Sequence, residues 1–329
     1  MKRSQLRSGV FANAMRYVNV ASRFVRQRKL LLLLAVAALL SVCTLLLSLG
    51  RLPHLNFGSP RYVIILGANK GGGVLQRKGA KEWDLEKVSI RNKRDYAERH
   101  GYNLAVKDMT AKKRYTHEWR ESWEIIDIIR ETMRQFPRAE WFWWVDLNSY
   151  IMEPQHSLDK IMRNHLSEFE RNVSSYNPAN FDLDLPFVDY SQNINMVLTQ
   201  DCSGFSLGSF FIRQSQWADL LLDTIWDPVF YEQKHMEWIH SEQSALEYMY
   251  NTQAWVRSGV AFAPQRQFNS YPLGACGEAS GDQRIFYQKQ GRDFMVNLAG
   301  CDWGRDCWSE IMECKRTSAD LHRKRFLLF

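Results

Sequence analysis

A chain of 329 residues that is 45% hydrophobic and 24% charged has room for one folded domain of about 250–300 residues or two small ones. That composition excludes simple disorder, a collagen-like repeat and a knottin-sized disulfide scaffold. The formal charge of +7 invites a nucleic-acid reading, but eight Lys and Arg residues with no acidic one fall within the first 29 positions, leaving 35 basic against 36 acidic groups in the rest; the basic balance belongs to a tail, and no nucleic-acid partner is expected.

After this tail, Leu30 to Leu49 reads LLLLLAVAALLSVCTLLLSL, twenty residues without a charge. At ~1.5 Å per residue a helix of this length spans about 30 Å, the thickness of bilayer hydrocarbon. A cleaved signal peptide is the competing reading; the stretch exceeds the usual apolar core of such peptides and lacks a small-x-small cleavage site. The positive-inside rule then predicts a single-pass type II protein. Its parts are a cytosolic basic tail (1–29), a transmembrane signal-anchor (30–50), a short stem (51–60) and one luminal domain (61–329). Cys43 lies in the anchor. Of the remaining five cysteines, the spacing of Cys301 and Cys307 favours a local disulfide, and the odd count leaves at least one thiol free or paired between chains. Asn172-Val173-Ser174 is a glycosylation sequon consistent with luminal exposure.

In the luminal part, YVIIL at 62–66 predicts a buried strand running into a GANKGGG loop. Residues 87–99 suit a helix with Val88, Ile90 and Tyr96 inward and the charges outward, stopped by Gly101, and 102–106 suit a second strand. Apolar residues spaced by three or four from Trp123 to Phe136 predict a helix over 118–136. Trp141 to Val145 is an intensely apolar strand arriving at Asp146. Residues 170–200, with Pro178 and Pro186, read as a surface excursion. SFFI at 209–212 predicts a strand, 217–226 and 241–250 predict helices, and 261–264 and 294–300 close the sheet. The aromatic-rich stretch 217–239 suits either core packing or a partner surface. The alternation points to an α/β fold with a mostly parallel central sheet, whose chemistry collects beyond the carboxyl ends of the strands.

Asp146 would lie at such an end. Asp146-Leu147-Asn148 places two oxygen-bearing side chains where they can face Mg²⁺ or Mn²⁺ and a nucleotide diphosphate, a turn-capping pair being the plain alternative. The GANKGGG loop lacks dinucleotide-binding and P-loop spacing and is equally a tight turn. The loop from Asp201 to Ser209 combines small residues with hydroxyls, as a sugar or nucleotide contact does. Glu242-Gln243 opens a helix and can bond sugar hydroxyls, or simply accompany Ser241 as a cap. Zinc-protease spacings and a G-x-S-x-G elbow are absent from the sequence, which disfavours hydrolases of those kinds.

The blocks EWFWWVDLNSYIMEP (140–154), QDCSGFSLGSFFIR (200–213), HSEQSAL (240–246) and GRDFMVNLAGC (291–301) resemble glycosyltransferase family 34, the fungal galactosyl- and α-mannosyltransferases. The resemblance implies a GT-A fold, GDP-mannose as donor, Mn²⁺, and retaining α-1,6 transfer to a mannosylated N-glycan acceptor. It also implies residence in the Golgi membrane through the N-terminal helix, and assembly with other mannosyltransferase subunits in a mannan polymerase. By position it implies metal ligation by Asp146, Asn148 and Asn297, and donor contacts from Gly67, Ala68, Asn69, Gly204, Ser206 and Gly208. Asp146, Glu242 and Gln243 would serve catalysis. Four positions depart from the family pattern: Asn148 for a carboxylate, Ser206 for Asn, Ile125 for Lys and Asn297 for His. A catalytically weak structural subunit, or a transferase for another hexose such as galactose, is therefore the alternative.

Overall fold

The computed structural model describes residues 36–38, 41, 61–68, 79–109, 123–183, 187–234, 237, 241–277 and 282–326. The chain divides into two units, Met1–His54 and Leu55–Phe329. In the first, residues 36–38 and 41 are helical; the rest of the expected anchor, the basic tail and the stem lie outside the described residues. Among the described residues no helix is long and apolar enough to cross a membrane.

The second unit is built on a six-stranded sheet of order β2-β1-β3-β6-β5-β7. Its strands are β1 (Tyr62–Ala68), β2 (Asn103–Asp108), β3 (Trp141–Val145), β5 (Met196–Gln200), β6 (Phe205–Arg213) and β7 (Val260–Phe262). β1 pairs parallel with both β2 and β3, β5 pairs parallel with β7, and β6 alone runs antiparallel between β3 and β5. Continuous apolar runs are what a sheet covered on both faces requires. Every residue of YVIILGA and WFWWV is buried. Alternation sends Val63, Ile65, Phe142 and Trp144 to one face, with α2 (Glu124–Gln135), α4 (Gln216–Ile225) and α6 (Ser241–Thr252). Tyr62, Ile64, Leu66, Trp141 and Trp143 face the other, with Tyr96 and Ala97 of α1 (Ala80–His100). The expected α/β class with a mostly parallel central sheet is what the chain adopts.

Three expectations need correction, and one helix stands where none was expected. The excursion over 170–200 ends in β5, a five-residue strand buried throughout, too short and too closely flanked by polar residues to register as a period. Residues 294–300 do not close the main sheet: β8 (Met295–Asn297) pairs antiparallel with β4 (Ser149–Ile151) in a separate two-stranded ribbon. Helix α1 begins seven residues before 87, and its inward positions include Glu86, Ser89 and Lys93, so its charge run is not wholly a solvent face. A helix over Cys307–Phe326 (α9) went unread; it packs on α1 and β4. The remaining helices are α3 (Leu158–Ile161), α5 (Pro228–Lys234), α7 (Ala254–Gly259) and α8 (Gln265–Phe268). Trp217, Trp226 and Phe230 are partly buried and pack against the core. Asn172 accepts bonds from Ser174, both exposed or half-buried.

Candidate functional site

The carboxyl ends of β1, β3, β5 and β7 share one edge of the sheet, and Asp146 sits there directly after β3. Its N–H donates to Gly208 O at 2.9 Å, Trp144 Nε1–H donates to its Oδ1 at 3.0 Å, and its carbonyl accepts from Ser149 Oγ at 2.6 Å. The β4–β8 ribbon pairs Ser149 with Asn297, which brings Asn297 to the same place. Gly208 allows the two to meet. A Cβ on it would lie 2.2 Å from Asn297 Nδ2 and 3.2 Å from Asp146 Oδ2, so a methyl group here displaces one of them.

Asn297 is fully buried. Its Nδ2 donates to Asn269 Oδ1 at 2.8 Å, while its Oδ1 has no hydrogen-bond partner. The orientation follows from a buried relay behind it. Tyr271 O–H donates to Asp201 Oδ2 at 2.7 Å, so at the 2.8 Å contact with Ser206 Oγ the serine must donate. Ser206 then accepts from Asn269 Nδ2 at 2.8 Å, the same amide donating its second hydrogen to Thr199 Oγ1 at 2.9 Å. Asn269 has only its carbonyl oxygen left, and Asn297 must offer it N–H. Burial first, then the nearby Asp201 carboxylate, holds the Tyr271 phenol well above its ordinary pKa, so it remains a donor throughout the physiological range. The Cys202–Cys276 disulfide staples the turn that carries Asp201, whose Oδ1 accepts from the N–H and hydroxyl of Ser203.

Helix α1 supports the Asp146 loop from below. Ser89 Oγ–H donates to Leu147 O at 2.5 Å, Asn92 exchanges two bonds with the backbone of Ile151, and Lys93 donates to Ser89 Oγ at 2.8 Å and to Ser149 O. Lys93 is fully buried. Desolvation pulls its ammonium down to about 7, with the Asp146 carboxylate and Cys314 opposing that fall. Asn148 faces elsewhere. Its Nδ2 donates to Asp302 Oδ2 at 3.2 Å, in the loop closed by the expected Cys301–Cys307 disulfide. That bridge takes both sulfurs out of metal ligation. Cys314 is the free thiol among the described cysteines.

Gly204 adopts φ +142°, and a Cβ there would lie 2.3 Å from Glu247 Oε1. The same Oε1 accepts from Phe205 N at 2.8 Å and Gln243 Nε2 at 3.3 Å, so Gln243 acts on the Gly204 turn through Glu247. Glu242 is half-buried in the first turn of α6. Gly67 and Ala68 end β1, in register with Lys107 and Asp108; the space beside Gly67 is filled by Met109 and Trp144. Asn69 lies outside the described residues. The structure thus brings Asp146, Ser206, Gly208 and Asn297 together, links Gly204 and Gln243 through Glu247, and turns the Asn148 amide toward Asp302. Asp201 opens the loop that the sequence singles out, whereas Lys93, Glu247, Asn269 and Tyr271 carry no sequence signal: none stands in a periodic apolar pattern, and Lys93 sits in a run of charges.

A family model described as the galactosyl transferase GMA12/MNN10 family matches residues 58–308. The chain is 52% identical over 271 residues to the probable alpha-1,6-mannosyltransferase MNN10 of Saccharomyces cerevisiae, covering 82% of this chain and 69% of that protein. It is 55% identical over 257 residues to an uncharacterized alpha-1,2-galactosyltransferase of Schizosaccharomyces pombe, covering 77% of this chain and 74% of the relative. A solved glycosyltransferase involved in the glycosylation of the major capsid of PBCV-1 is 15% identical, with a TM-score of 0.49 over 77% of this chain and 99% of its own.

Proposed function

The chain belongs to the galactosyl transferase GMA12/MNN10 family and is a glycosyltransferase, and from that premise we propose that it transfers mannose in α-1,6 linkage from GDP-mannose to a mannosylated N-glycan. The observation that carries this reading is the meeting of Asp146 and Asn297 around Gly208. Asp146 brings a carboxylate there, and Asn297 turns its Nδ2 to the same place while keeping a buried Oδ1 without a protein partner.

These residues fit a hard divalent cation such as Mn²⁺, since such ions take carboxylate and carbonyl oxygens. Asp146 would hold it with Asn297 Oδ1, and Asn148 would join only after leaving Asp302. When bound, such an ion offsets the charge that develops on the leaving diphosphate. The chain's own residues do the positioning: the relay from Asp201 to Asn269 fixes the Asn297 amide, and Gly208 leaves the room its Nδ2 needs beside Asp146. Lys93 and Ser89 hold the loop after Asp146 from below. In this reading the acceptor hydroxyl attacks the anomeric carbon on the face from which GDP departs and passes its proton to the leaving phosphate. That route retains configuration and needs no strong protein base. Glu242 and Gln243 orient sugars at the start of α6, Gln243 by way of Glu247.

The same reading places the domain in the Golgi lumen, anchored by Leu30–Leu49, and joined to other mannosyltransferase subunits in a mannan polymerase. A galactose donor is the second reading, favoured by the name of the relative from Schizosaccharomyces pombe. Calorimetry on the full chain in detergent, with GDP and UDP in the presence and absence of Mn²⁺, tests both. The proposal expects GDP to bind more tightly with Mn²⁺ than without, and UDP to bind weakly. Preference for UDP, with transfer from UDP-galactose exceeding that from GDP-mannose, contradicts mannose transfer.

A further inference from the structure

Beyond the ends of β5 and β7, on the same edge as Asp146, lies a cavity of about 400 Å³ whose lining includes Gln200, Gln265, Tyr176 and Phe262. This size falls within the range of small-molecule sites, about 300–1,000 Å³. Gln200 and Gln265 are 6% and 4% exposed, and each has a buried Oε1 with no hydrogen-bond partner. Their amide nitrogens are engaged, Gln200 Nε2 donating to Tyr176 O at 2.7 Å and Gln265 Nε2 to Asn269 O at 2.8 Å. The orientations are therefore set, and beside the cavity two buried acceptors stand without donors.

The cations at this cavity are already matched. Arg266 makes two bonds to Asp293, and Arg284 is paired with Asp282 while lying over the Tyr176 ring at 4.3 Å. With Glu168 and Glu170 also in the lining, the balance disfavours a phosphate and suits a neutral polyol. Hydroxyls supply the donors that the glutamine oxygens lack, and the half-buried Tyr176 ring offers apolar surface to the C–H face of a sugar.

Position completes the argument. β3 is flanked on one side by β1, carrying Gly67 and Ala68, and on the other by β6, β5 and β7. Two strand spacings of about 4.8 Å separate β5 from β3, so the cavity lies on the side of Asp146 opposite the first-strand loop. Tyr176 also reaches the site, its hydroxyl donating to Asp201 O at 3.1 Å. We propose that this cavity is an acceptor subsite that holds a mannose residue of the glycan remote from the bond being formed. The inference rests on the mannosyltransferase reading above.

The test uses the full chain in detergent, with α-1,6-mannobiose and α-1,6-mannotetraose as probes and the variants Gln200→Leu and Gln265→Leu, each checked for folding by its melting temperature. The expected result is a rise of about tenfold or more in KM for the tetraose, confined to the acceptor and larger than for the biose. Saturation-transfer NMR without nucleotide should show the tetraose bound to the wild type and to Asp146→Ala, and lost from Gln200→Leu. Unchanged tetraose KM in both folded glutamine variants overturns the subsite and leaves mannose transfer standing. If the wild type transfers mannose to neither probe, the mannosyltransferase reading fails, and the NMR experiment still decides the subsite: loss of tetraose binding in Gln200→Leu supports it, and no binding to the wild type overturns it.

Discussion

Two regions of one sheet edge treat their buried polar groups in opposite ways. Around Asp146, Asn269 uses both amide hydrogens and its oxygen, Ser206 both donates and accepts, and Tyr271 ends the relay on Asp201; the acceptor left over is Asn297 Oδ1. Around the cavity beyond β5 and β7, Gln200 and Gln265 each retain a buried acceptor. The first arrangement fixes one side chain in one orientation. The second leaves acceptors for something that arrives. Preorganisation of a reacting centre and recognition of a long substrate ask for these two different patterns.

The comparison breaks most sharply at Gly208. Gly208→Ala drives a methyl group to within 2.2 Å of the original Asn297 Nδ2 position, and transfer should fall by about 100-fold, comparable to loss of one preorganised electrostatic contact. Steady-state rates with GDP-mannose check it, and a rate within about threefold of wild type would show that the Asp146–Asn297 approach is not needed for the chemistry. Next comes Tyr271→Phe, which leaves a buried Asp201 oxygen short of its donor. Denaturant unfolding should show a loss of about 1–3 kcal/mol, and a change below about 0.5 kcal/mol would mean that the relay does not orient anything.

Lys93 gives a pH dependence. Its folded value of about 7 lies below the ordinary 10.5, so above pH 7 the folded chain has released a proton that the unfolded chain still holds. Stability should rise from about pH 7 to 9, by at most on the order of 1 kcal/mol per pH unit. Cys314 acts in the opposite sense at higher pH: burial pushes its thiol to about 12, and the stability this confers is complete below about 9 and lost as pH rises toward 12. Lys93→Met should flatten the rise between pH 7 and 9 in unfolding experiments, and an unchanged slope would assign that rise elsewhere. The smallest effect belongs to the cavity. Gln200→Leu removes an unpartnered oxygen together with one bond to Tyr176 O, and stability should stay within about 1 kcal/mol of wild type. A loss as large as that of Tyr271→Phe would erase the contrast between the two regions.

The parts of this architecture that could be read in the sequence are those where one local pattern suffices. β1 and β3 are unbroken apolar runs, Asp146 follows one of them directly, and the Cys301–Cys307 bridge closes over a separation of six residues. The Cys202–Cys276 bridge spans 74, and no local feature joins its ends. Asn297 is reachable through family resemblance, whereas Asn269 and Tyr271 lie in a stretch with neither period nor motif and matter through partners 28 to 70 residues away. Lys93 was hidden by its neighbours, because in a helix rich in charge a single inward lysine has no signature until the loop it supports is in place. Asn148 is the instructive opposite: its spacing from Asp146 suggests shared ligation, yet the turn after β3 gives its amide to Asp302.

The central claim is that this chain carries out the transfer itself through Asp146, despite Asn148, Ile125 and Asn297 standing where the family pattern has charged or imidazole groups. The most direct test is Asp146→Ala in the full chain, co-expressed with the mannosyltransferase subunits proposed above as partners, with assembly and mannose transfer measured on the same preparation. The account predicts intact assembly and a fall in transfer of about 100- to 1,000-fold, roughly 3–4 kcal/mol of transition-state stabilisation. Intact assembly with unchanged transfer would contradict it and assign the chemistry to a partner subunit.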